Sequence, residues 1–217
     1  MEQEKYTLLY KELKTIMKNS LVVLLFTAIL GGGLYPLLIT GVAQLAFPYR
    51  ANGSIIEVNG VKYGSELLAQ QFGPENDKEG KYLWGRAMNV NIFPIAGNDG
   101  ADLMYGGPAN LSPVSSDYAD LVKGRVQQIR SAEAGAAANN VPVPQDLVTV
   151  SGSGLDPHIS PAAAAYQVQR IANTRHMDAS DVQNIINKYT EGRFLGIFGE
   201  PAVNVLKVNL ALDNILQ

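Results

Sequence analysis

The sequence contains no cysteine, only two histidines and no surplus of basic residues. Without cysteine the chain cannot form disulfides, thiolate zinc sites or iron–sulfur clusters, and it has no thiol nucleophile. Its formal charge of -3 leaves no excess of Lys and Arg to neutralise phosphates, which argues against a nucleic-acid partner. Charged residues make up only 17% of the chain and hydrophobic residues 47%, a balance that indicates a membrane segment.

One long stretch lacks charge altogether. The 31 residues from Asn19 to Tyr49 carry none, and the part from Leu21 to Phe47 is dense in Leu, Val, Ile and Phe. About 20 apolar residues cross a bilayer core, so this stretch is long enough to span the membrane once. A cleavable signal peptide fits less well, because its apolar core is shorter than the run that precedes the small residues at Gly41. We therefore predict one uncleaved transmembrane helix over residues 19–48.

The cations that flank this stretch predict its orientation. Arg50 and Lys62 are the two cations in the first twenty residues after it, whereas four lysines precede it: Lys5, Lys11, Lys14 and Lys18. Because positive residues are retained on the cytoplasmic side, residues 1–18 are expected in the cytoplasm. Residues 49–217 are then expected to form an extracytoplasmic domain.

The predicted span contains residues that a simple tether does not need. Three consecutive glycines and a proline are poor helix formers, and small residues recur at four-residue spacing. Such spacing lets a second transmembrane helix approach closely, although Gly and Pro are also commoner in membrane helices in general. The residues predicted to pack against a partner helix are Gly32, Gly33, Pro36 and Gly41.

Residues 49–217 are predicted to form a compact mixed α+β domain with two or three strands and four helices. Asn59-Gly60 between two apolar runs predicts a β-hairpin. Helices are predicted after Ser65, over Ser116–Ala134, over Ala162–Arg175 behind a Ser160-Pro161 start, and from Asp178 onward. Strands are predicted at Leu147–Val150 and, from alternating apolar residues, at Val203–Leu212, although the proline before the latter would also suit a helix.

The segment Ser151–Ser160 (SGSGLDPHIS) brings Ser, Asp and His within ten residues. Its spacing does not match a nucleophile elbow, and two potential ligands, Asp156 and His158, do not make a metal site. We expect a structural loop in which Asp156, His158 and Ser160 tie the backbone and cap the next helix. The alternative is a membrane-anchored extracytoplasmic enzyme that uses Asp156 and His158.

Three blocks of sequence together match a known family pattern. The first ends the apolar stretch with Gly33-Leu34-Tyr35-Pro36 and Gly41, and the second runs from Gly64-Ser65-Glu66-Leu67 to Gly85-Arg86. The third is the most specific and contains Ser151, Gly152, Ser153, Gly154, Asp156, Pro157, His158, Ser160, Gln167, Arg170, Gly199, Glu200, Asn204 and Asn209. Over most of residues 20–213 the chain resembles the C subunit of the bacterial Kdp potassium-transporting P-type ATPase.

This resemblance implies a non-catalytic subunit of a potassium uptake complex in the bacterial cytoplasmic membrane. The implied partners are a channel-like translocating subunit, an ATP-hydrolysing P-type subunit and a small single-span subunit. The family is described as a catalytic chaperone that raises the ATP affinity of the pump subunit. Because the predicted orientation places the domain outside, we expect any ATP role to be indirect. The complex handles ATP and potassium, this chain holds no cofactor, and its motif residues are structural or at interfaces.

Overall fold

The computed structural model describes residues 2–94, 102–133, 135–136 and 139–216. The chain divides into two compact units, Met1–Ser54 and Ile55–Gln217. The first unit contains the apolar stretch. The second contains the β-sheets and the remaining helices.

The first unit is helical over nearly its whole length. Helix α1 (Glu2–Ile29) continues into a π-helical turn (Leu30–Leu34), helix α2 (Tyr35–Ala46) and a short helix α3 (Pro48–Ala51). From Gln3 to Ala46 it is, within the described residues, the one helix long and apolar enough to cross a membrane. The helix begins well before residue 19, so the predicted span is the C-terminal part of a longer helix.

The π-helical turn coincides with the triple glycine Gly31–Gly33. The amide of Tyr35 donates to the carbonyl of Leu30, five residues earlier instead of four. Pro36 follows at once and has no N–H to offer an α-helical hydrogen bond, while glycines accept the wider turn without side-chain clashes. These poor helix formers therefore change the type of helix locally and do not end it.

The second unit mixes short antiparallel sheets with helices. The strands in the described residues are β1 (Ile55–Val58) paired with β2 (Val61–Ser65), β3 (Val90–Pro94) paired with β4 (Asp102–Gly106), and β5 (His158–Ile159), β6 (Thr190–Glu191) and β7 (Ala202–Asn204), with β7 between the other two. The helices that lie wholly within the described residues are α4 (Ser116–Ala132), α5 (Gln145–Val148), α6 (Pro161–Arg175), α7 (Ala179–Lys188) and α8 (Val205–Leu212). This mixture agrees with the predicted α+β class, with more strands than expected.

The hairpin predicted at Asn59-Gly60 is present. Both residues have positive φ, 53° and 78°, as a two-residue type I′ turn requires. Val58 pairs directly with Val61 across the turn. The Asn-Gly signal is therefore confirmed.

Two helix starts follow the expected capping chemistry. The Ser115 side chain accepts a hydrogen bond from the Tyr118 amide at the start of α4. The Ser160 side chain accepts one from the Ala163 amide at the start of α6, where Pro161 is the first helical residue. The predictions of α4 and α6 are confirmed.

The main hydrophobic core of the second unit is built around α6 and α8. It includes Trp84, the only tryptophan, whose exposure is 2%. Its other buried members are Leu83, Ile129, Leu147, Val148, Ile159, Ala163, Ala164, Ile171, Ala172, Val182, Ile186, Val203, Val205, Val208 and Leu212. A smaller cluster joins Ile56 of β1 to Leu206 and Leu210 of α8. Helix α8 therefore contributes to both clusters.

The strand predicted over residues 203–212 is wrong. Only Ala202–Asn204 is extended, and Val205–Leu212 forms helix α8. The helix is buried on almost every side, so apolar residues satisfy a two-residue period and a helical period equally. The missed signal is Asn204, whose side-chain oxygen accepts from the Lys207 amide and caps the helix.

Two shorter predictions are also wrong. The residues after Ser65 form turns and irregular backbone instead of a helix, because long-range bonds such as Ala69 N–H to the Leu155 carbonyl (2.9 Å) hold them. The first half of the strand expected at Leu147–Val150 belongs to the short helix α5, and within the segment only Val150 forms a β-bridge, to Ala87. Tertiary contacts override local propensity in both places.

Candidate functional site

The serine–glycine loop (residues 151–160) passes very close to a neighbouring backbone. Gly154 has a φ of +70°, and a Cβ at this position would collide with the Gly107 carbonyl and lie 2.9 Å from the Asn89 carbonyl. The Gly154 carbonyl accepts a hydrogen bond from the Asn89 amide at 3.3 Å. Both the backbone conformation and the close approach therefore require glycine at position 154.

Two of the three serines of this loop make contacts within its first half. The hydroxyls of Ser151 and Ser153 lie 3.3 Å apart, and the Ser153 hydroxyl accepts from the Leu155 amide at 3.2 Å. Further along, the Pro157 carbonyl accepts from the Val205 amide at 3.1 Å. The first half of the loop therefore bonds to itself, and its second half is bonded to the start of α8.

Arg86 lies between two carboxylates beside this loop. Its Nη1 is 3.7 Å from Asp156 Oδ2 and 3.9 Å from Asp146 Oδ1. Asp156 Oδ1 accepts from the His158 amide at 3.0 Å, and Asp146 Oδ2 accepts from the Ser160 amide at 2.8 Å. Arg86 thereby joins Asp156 of the loop to Asp146, the residue that holds the amide of the α6 cap, Ser160.

His158 is adjacent to Asp156 and Asn204. Its Nδ1 is 3.7 Å from Asp156 Oδ1, and its Nε2 is 3.4 Å from Asn204 Nδ2. The same Asn204 amide donates to the Glu66 carbonyl at 2.8 Å, while its oxygen caps α8 through Lys207. The imidazole therefore lies between two polar side chains that together hold the backbone at His158, Glu66 and Lys207.

Asp156 and His158 are the pair that the enzyme alternative requires. Both side chains are about two-thirds buried, with exposures of 32% and 28%. The carboxylate already accepts the backbone amide of His158 and contacts Arg86. Among the described residues, no three His, Asp or Glu side chains lie close enough to hold a metal ion. The contacts of Asp156 and His158 are therefore with neighbouring protein groups that hold the loop in place.

We call residues Asp77–Trp84 the inner segment. A second cluster of polar side chains surrounds it. Gln167 Oε1 accepts the Trp84 amide at 2.8 Å, and Gln167 Nε2 donates to the Trp84 carbonyl at 3.0 Å. Asn209 Oδ1 accepts the Leu83 amide at 2.7 Å, and Asn209 Nδ2 donates to the Leu83 carbonyl at 2.9 Å. All four residues are buried. Each carboxamide therefore takes the place that a peptide group of a neighbouring strand would fill.

Arg170 is at the centre of this cluster. Its guanidinium lies over the Trp84 ring, 3.8 Å from the ring centroid, and Nη1 is 3.8 Å from Asp77 Oδ2. Its hydrogen bonds go to Glu133 Oε1 (2.6 Å), Gln167 Oε1 (2.7 Å), the Tyr82 carbonyl (3.0 Å) and the Gly80 carbonyl. One buried cation thus connects α6 to the inner segment and to the residue after α4.

Burial shifts the titration of both members of the Arg170–Glu133 pair. It raises the pKa of the Glu133 carboxyl and lowers the pKa of the Arg170 guanidinium, because each charge loses contact with water. Their mutual attraction opposes both shifts. Removal of Arg170 therefore leaves the Glu133 carboxylate uncompensated in the interior.

Sequence reasoning missed two carboxylates of this cluster, Asp77 and Glu133. Both are buried, at 7% and 3% exposure. Asp77 accepts the amides of Lys81 and Tyr82 and, at 2.9 Å, the indole N–H of Trp84. Nothing in the local pattern marks them, because an acidic residue in a polar turn or at a helix end has the composition of a solvated surface.

Gly199 and Glu200 occupy a different part of the unit. Glu200 pairs with Arg193 at 2.7 Å on the surface, and Gly199 has a φ of +80°. Both residues belong to the loop of residues 193–200 just before β7, which we call the apolar loop because four of its large apolar side chains are exposed: Phe194, Leu195, Ile197 and Phe198. The structure does not bring them together with Gln167 or Arg170.

The residues predicted to pack in the membrane have no neighbouring side chain over them in the part of the chain that the structure describes. A Cβ added at Gly32, Gly33 or Gly41 would meet nothing within 4 Å among the described residues. Pro36 is exposed on the same helix. In the isolated chain this surface is open to a neighbour.

An apolar N-terminal helix long enough to cross a membrane is followed by a domain whose motif residues bind its own backbone. Residues 17–214 match the family described as KdpC: K+-transporting ATPase, c chain. The chain belongs to the KdpC family, which confirms the resemblance inferred from its motifs.

Several relatives are similar over nearly their whole length, and each is named potassium-transporting ATPase KdpC subunit. The relative from Clostridium perfringens is 58% identical over 205 residues, which cover 94% of this chain and 100% of the relative. One from Clostridium botulinum is 51% identical over 95% of this chain and 100% of its own length. One from Methylococcus capsulatus is 47% identical over 90% of this chain and 96% of its own length.

Proposed function

We propose that this chain is the accessory subunit of an ATP-driven potassium uptake complex. In this proposal it assembles with, and stabilises, a channel-like translocating subunit, a P-type ATPase subunit and a small single-span subunit. The observation that carries the proposal is the family match over residues 17–214, together with relatives named as KdpC subunits. ATP and potassium are handled by the partners, and any effect of this chain on ATP affinity is indirect.

The proposed topology follows from charge. Four lysines before the span, against Arg50 and Lys62 after it, favour a cytoplasmic N-terminus. Residues 1–18 are then cytoplasmic, residues 19–48 cross the bacterial cytoplasmic membrane, and residues 49–217 are outside. A domain on that side does not meet cytoplasmic ATP, which is why we propose an indirect role.

The motif residues have scaffolding roles in this proposal. Gln167, Arg170 and Asn209 bind the inner segment, and Asn204 connects β7 to α8. The serine–glycine loop fixes the start of α6 through Asp146 and Ser160. These contacts support a rigid domain that presents surfaces to its partners.

Potassium uptake tests the function and separates it from the enzyme alternative. Cells that lack their own copy of this subunit should regain growth at micromolar potassium when the chain is supplied with its cognate partners. An Asp156→Asn, His158→Gln double variant removes acid–base chemistry while retaining hydrogen-bonding groups, and it should restore growth equally. Loss of uptake by a double variant that still assembles would favour the enzyme, and failure of the unmutated chain would contradict the accessory role.

Thiol labelling tests the topology, because the chain has no cysteine of its own. An Asn139→Cys variant should react with a membrane-impermeant reagent in intact cells whose outer barrier admits it. A Gln3→Cys variant is the matched control and should react only after lysis. The reverse pattern would overturn the orientation and would make direct nucleotide contact by the domain possible.

Co-purification tests the proposed membrane packing. Replacement of Gly32 and Gly33 by Leu adds bulk on a helix surface that is open in the isolated chain, so it should weaken recovery of the partner subunits. An Ala46→Leu variant adds similar bulk at the end of the helix and should not. Unchanged recovery of partners with the glycine variant would show that the helix is only a tether.

A further inference from the structure

The sequence contains two Asn-Gly pairs, Asn52-Gly53 and Asn59-Gly60. All four residues are exposed. The side chain of an asparagine is open to attack by the backbone nitrogen of the next residue, and glycine favours this reaction because it has no Cβ beside that nitrogen. The rate of such an intramolecular step depends on how freely the two groups reach each other. Because the two pairs have the same chemistry, their surroundings decide which of them reacts.

The Asn52 side chain is held through both of its polar atoms. Its Nδ2 donates to Gln44 Oε1 at 3.0 Å and to the Pro48 carbonyl at 2.7 Å, and its Oδ1 accepts from Gln44 Nε2 at 3.2 Å. The Gly53 amide donates to the Arg50 carbonyl at 3.2 Å. The carboxamide therefore cannot turn toward Gly53 without loss of these bonds, and the attacking nitrogen is itself engaged.

The Asn59 side chain has no such restraint. Among the described residues, neither its carboxamide nor the Gly60 amide makes a hydrogen bond. A Cβ added at Gly60 would meet none of their atoms within 4 Å. The space beside the attacking nitrogen is therefore open.

The tip of this hairpin is held by few ladder pairs. Two pairs, Val58 with Val61 and Glu57 with Lys62, lie between the turn and a shift in the register of the two strands. Hairpin tips with few buried contacts open locally at low free energy. The turn can therefore leave its left-handed conformation for long enough to bring the two reacting groups together.

We propose that Asn59 is a site of spontaneous covalent modification in the folded chain, whereas Asn52 is protected. The Gly60 nitrogen attacks the Asn59 Cγ. The N–Cγ bond forms, the Cγ–Nδ2 bond breaks, and Nδ2 leaves as ammonia with the proton that the Gly60 nitrogen loses. Water then opens the resulting cyclic succinimide at one of the two carbonyl carbons bonded to that nitrogen, which yields aspartate or isoaspartate at position 59. No oxidant or reductant takes part.

Either product changes the hairpin. Aspartate places a negative charge at the turn. Isoaspartate adds a carbon to the backbone of a two-residue turn, which disturbs the register that pairs Val58 with Val61. The same strand contributes Ile56 to the smaller hydrophobic cluster, so the isoaspartate form acts on a strand that is part of the domain's packing.

Peptide mass spectrometry of the detergent-solubilised full chain, incubated at mildly alkaline pH, tests the proposal. Exchange of the side-chain NH2 for OH should accumulate at Asn59 at least about tenfold faster than at Asn52, because the hydrogen bonds of Asn52 must break first. Peptides that carry each pair, released from the chain by digestion, should react at similar rates in the same buffer. Equal rates in the folded chain, or an intact Asn59 there while its peptide reacts, would overturn the proposal.

Two variants test the cause of the difference. Gln44→Ala removes a partner of both polar atoms of Asn52, so Asn52 should react faster while the rate at Asn59 stays the same. Asn59→Gln, whose longer side chain closes a larger and less favourable ring, should remove the product at the turn and leave the rate at Asn52 unchanged. An unaltered Asn52 rate in Gln44→Ala would contradict the protection assigned to these bonds, and a product that persists at the turn of Asn59→Gln would place the reaction elsewhere.

Discussion

The inner segment and the apolar loop reverse the usual distribution of polar and apolar side chains. Around the inner segment, Gln167, Arg170 and Asn209 are buried. On the apolar loop, by contrast, large apolar side chains are exposed. A buried polar group stabilises a fold only when its partners are present, whereas exposed apolar surface is stabilised by removal from water. The first region therefore serves the domain itself, and the second is available to a partner.

This comparison predicts opposite responses to mutation. Changes around the inner segment should lower the stability of the chain on its own. Changes on the apolar loop should leave that stability almost unaltered. Trp84, the only tryptophan, lies within the inner segment, so its fluorescence reports unfolding of this region directly.

The largest loss of stability is expected for Arg170→Met. The substitution removes the cation that Glu133 and Asp77 face, leaving buried carboxylates without compensation. Loss of one partner of such a pair costs about 3–5 kcal/mol. Urea unfolding of the detergent-solubilised full chain, followed by Trp84 emission, measures it. Lys123→Met, at an exposed position of α4, is the control and should change stability by no more than about 0.5 kcal/mol. A loss below about 1 kcal/mol for Arg170→Met would show that the cluster is not a structural centre.

The next largest effect is expected for Gln167→Met. Methionine keeps the approximate volume but leaves the amide and carbonyl of Trp84 without the partners that Gln167 provides. Each buried unsatisfied group costs about 1–3 kcal/mol, so a total of about 2 kcal/mol or more is expected. Gln169→Met is the matched control, because Gln169 is exposed on the same helix. Equal unfolding midpoints for the two variants would contradict the role assigned to the carboxamide.

Sequence reasoning predicted those elements whose signals are local. The Asn59-Gly60 turn and the Ser160-Pro161 start of α6 depend on residues within one turn, and the helix from Ser116 depends on apolar residues at helical spacing. All three are present. The strand predicted over residues 203–212 failed for a different reason. Burial on nearly all faces removes the amphipathic contrast from which a period is read.

The polar cluster could be anticipated only as a set of motif residues without geometry. Gln167 and Trp84 are 83 positions apart, and Asn209 and Leu83 are 126 apart. No local pattern predicts which carboxamide pairs with which backbone group across such distances. The exposure of the apolar loop is also a tertiary property, because Phe, Leu and Ile next to a strand are ordinary core residues by composition.

A smaller effect is expected for Gly154→Ala. The left-handed conformation of this residue disfavours a Cβ by about 1–2 kcal/mol, and the nearby Gly107 carbonyl leaves no room for one. Gly152→Ala is the matched control, since a Cβ there meets nothing within 4 Å among the described residues. Unfolding monitored by Trp84 should separate the two variants. If Gly154→Ala unfolds at the same urea concentration as Gly152→Ala, the loop can move away from Gly107 at little cost and does not require glycine at position 154.

The smallest expected effect is that of the Phe194→Ser, Phe198→Ser double variant on the isolated chain. Both rings are mostly exposed, so their removal takes away little packing, and stability should stay within about 0.5 kcal/mol of the unmutated chain. The backbone bonds that close the loop do not involve the side chains and should persist. The same Trp84 unfolding measurement checks this. A loss of more than about 1 kcal/mol would mean that the rings pack on their own domain, which would remove the contrast with the inner segment. Unaltered stability together with weaker recovery of partner subunits would instead identify the loop as a surface that acts only in assembly.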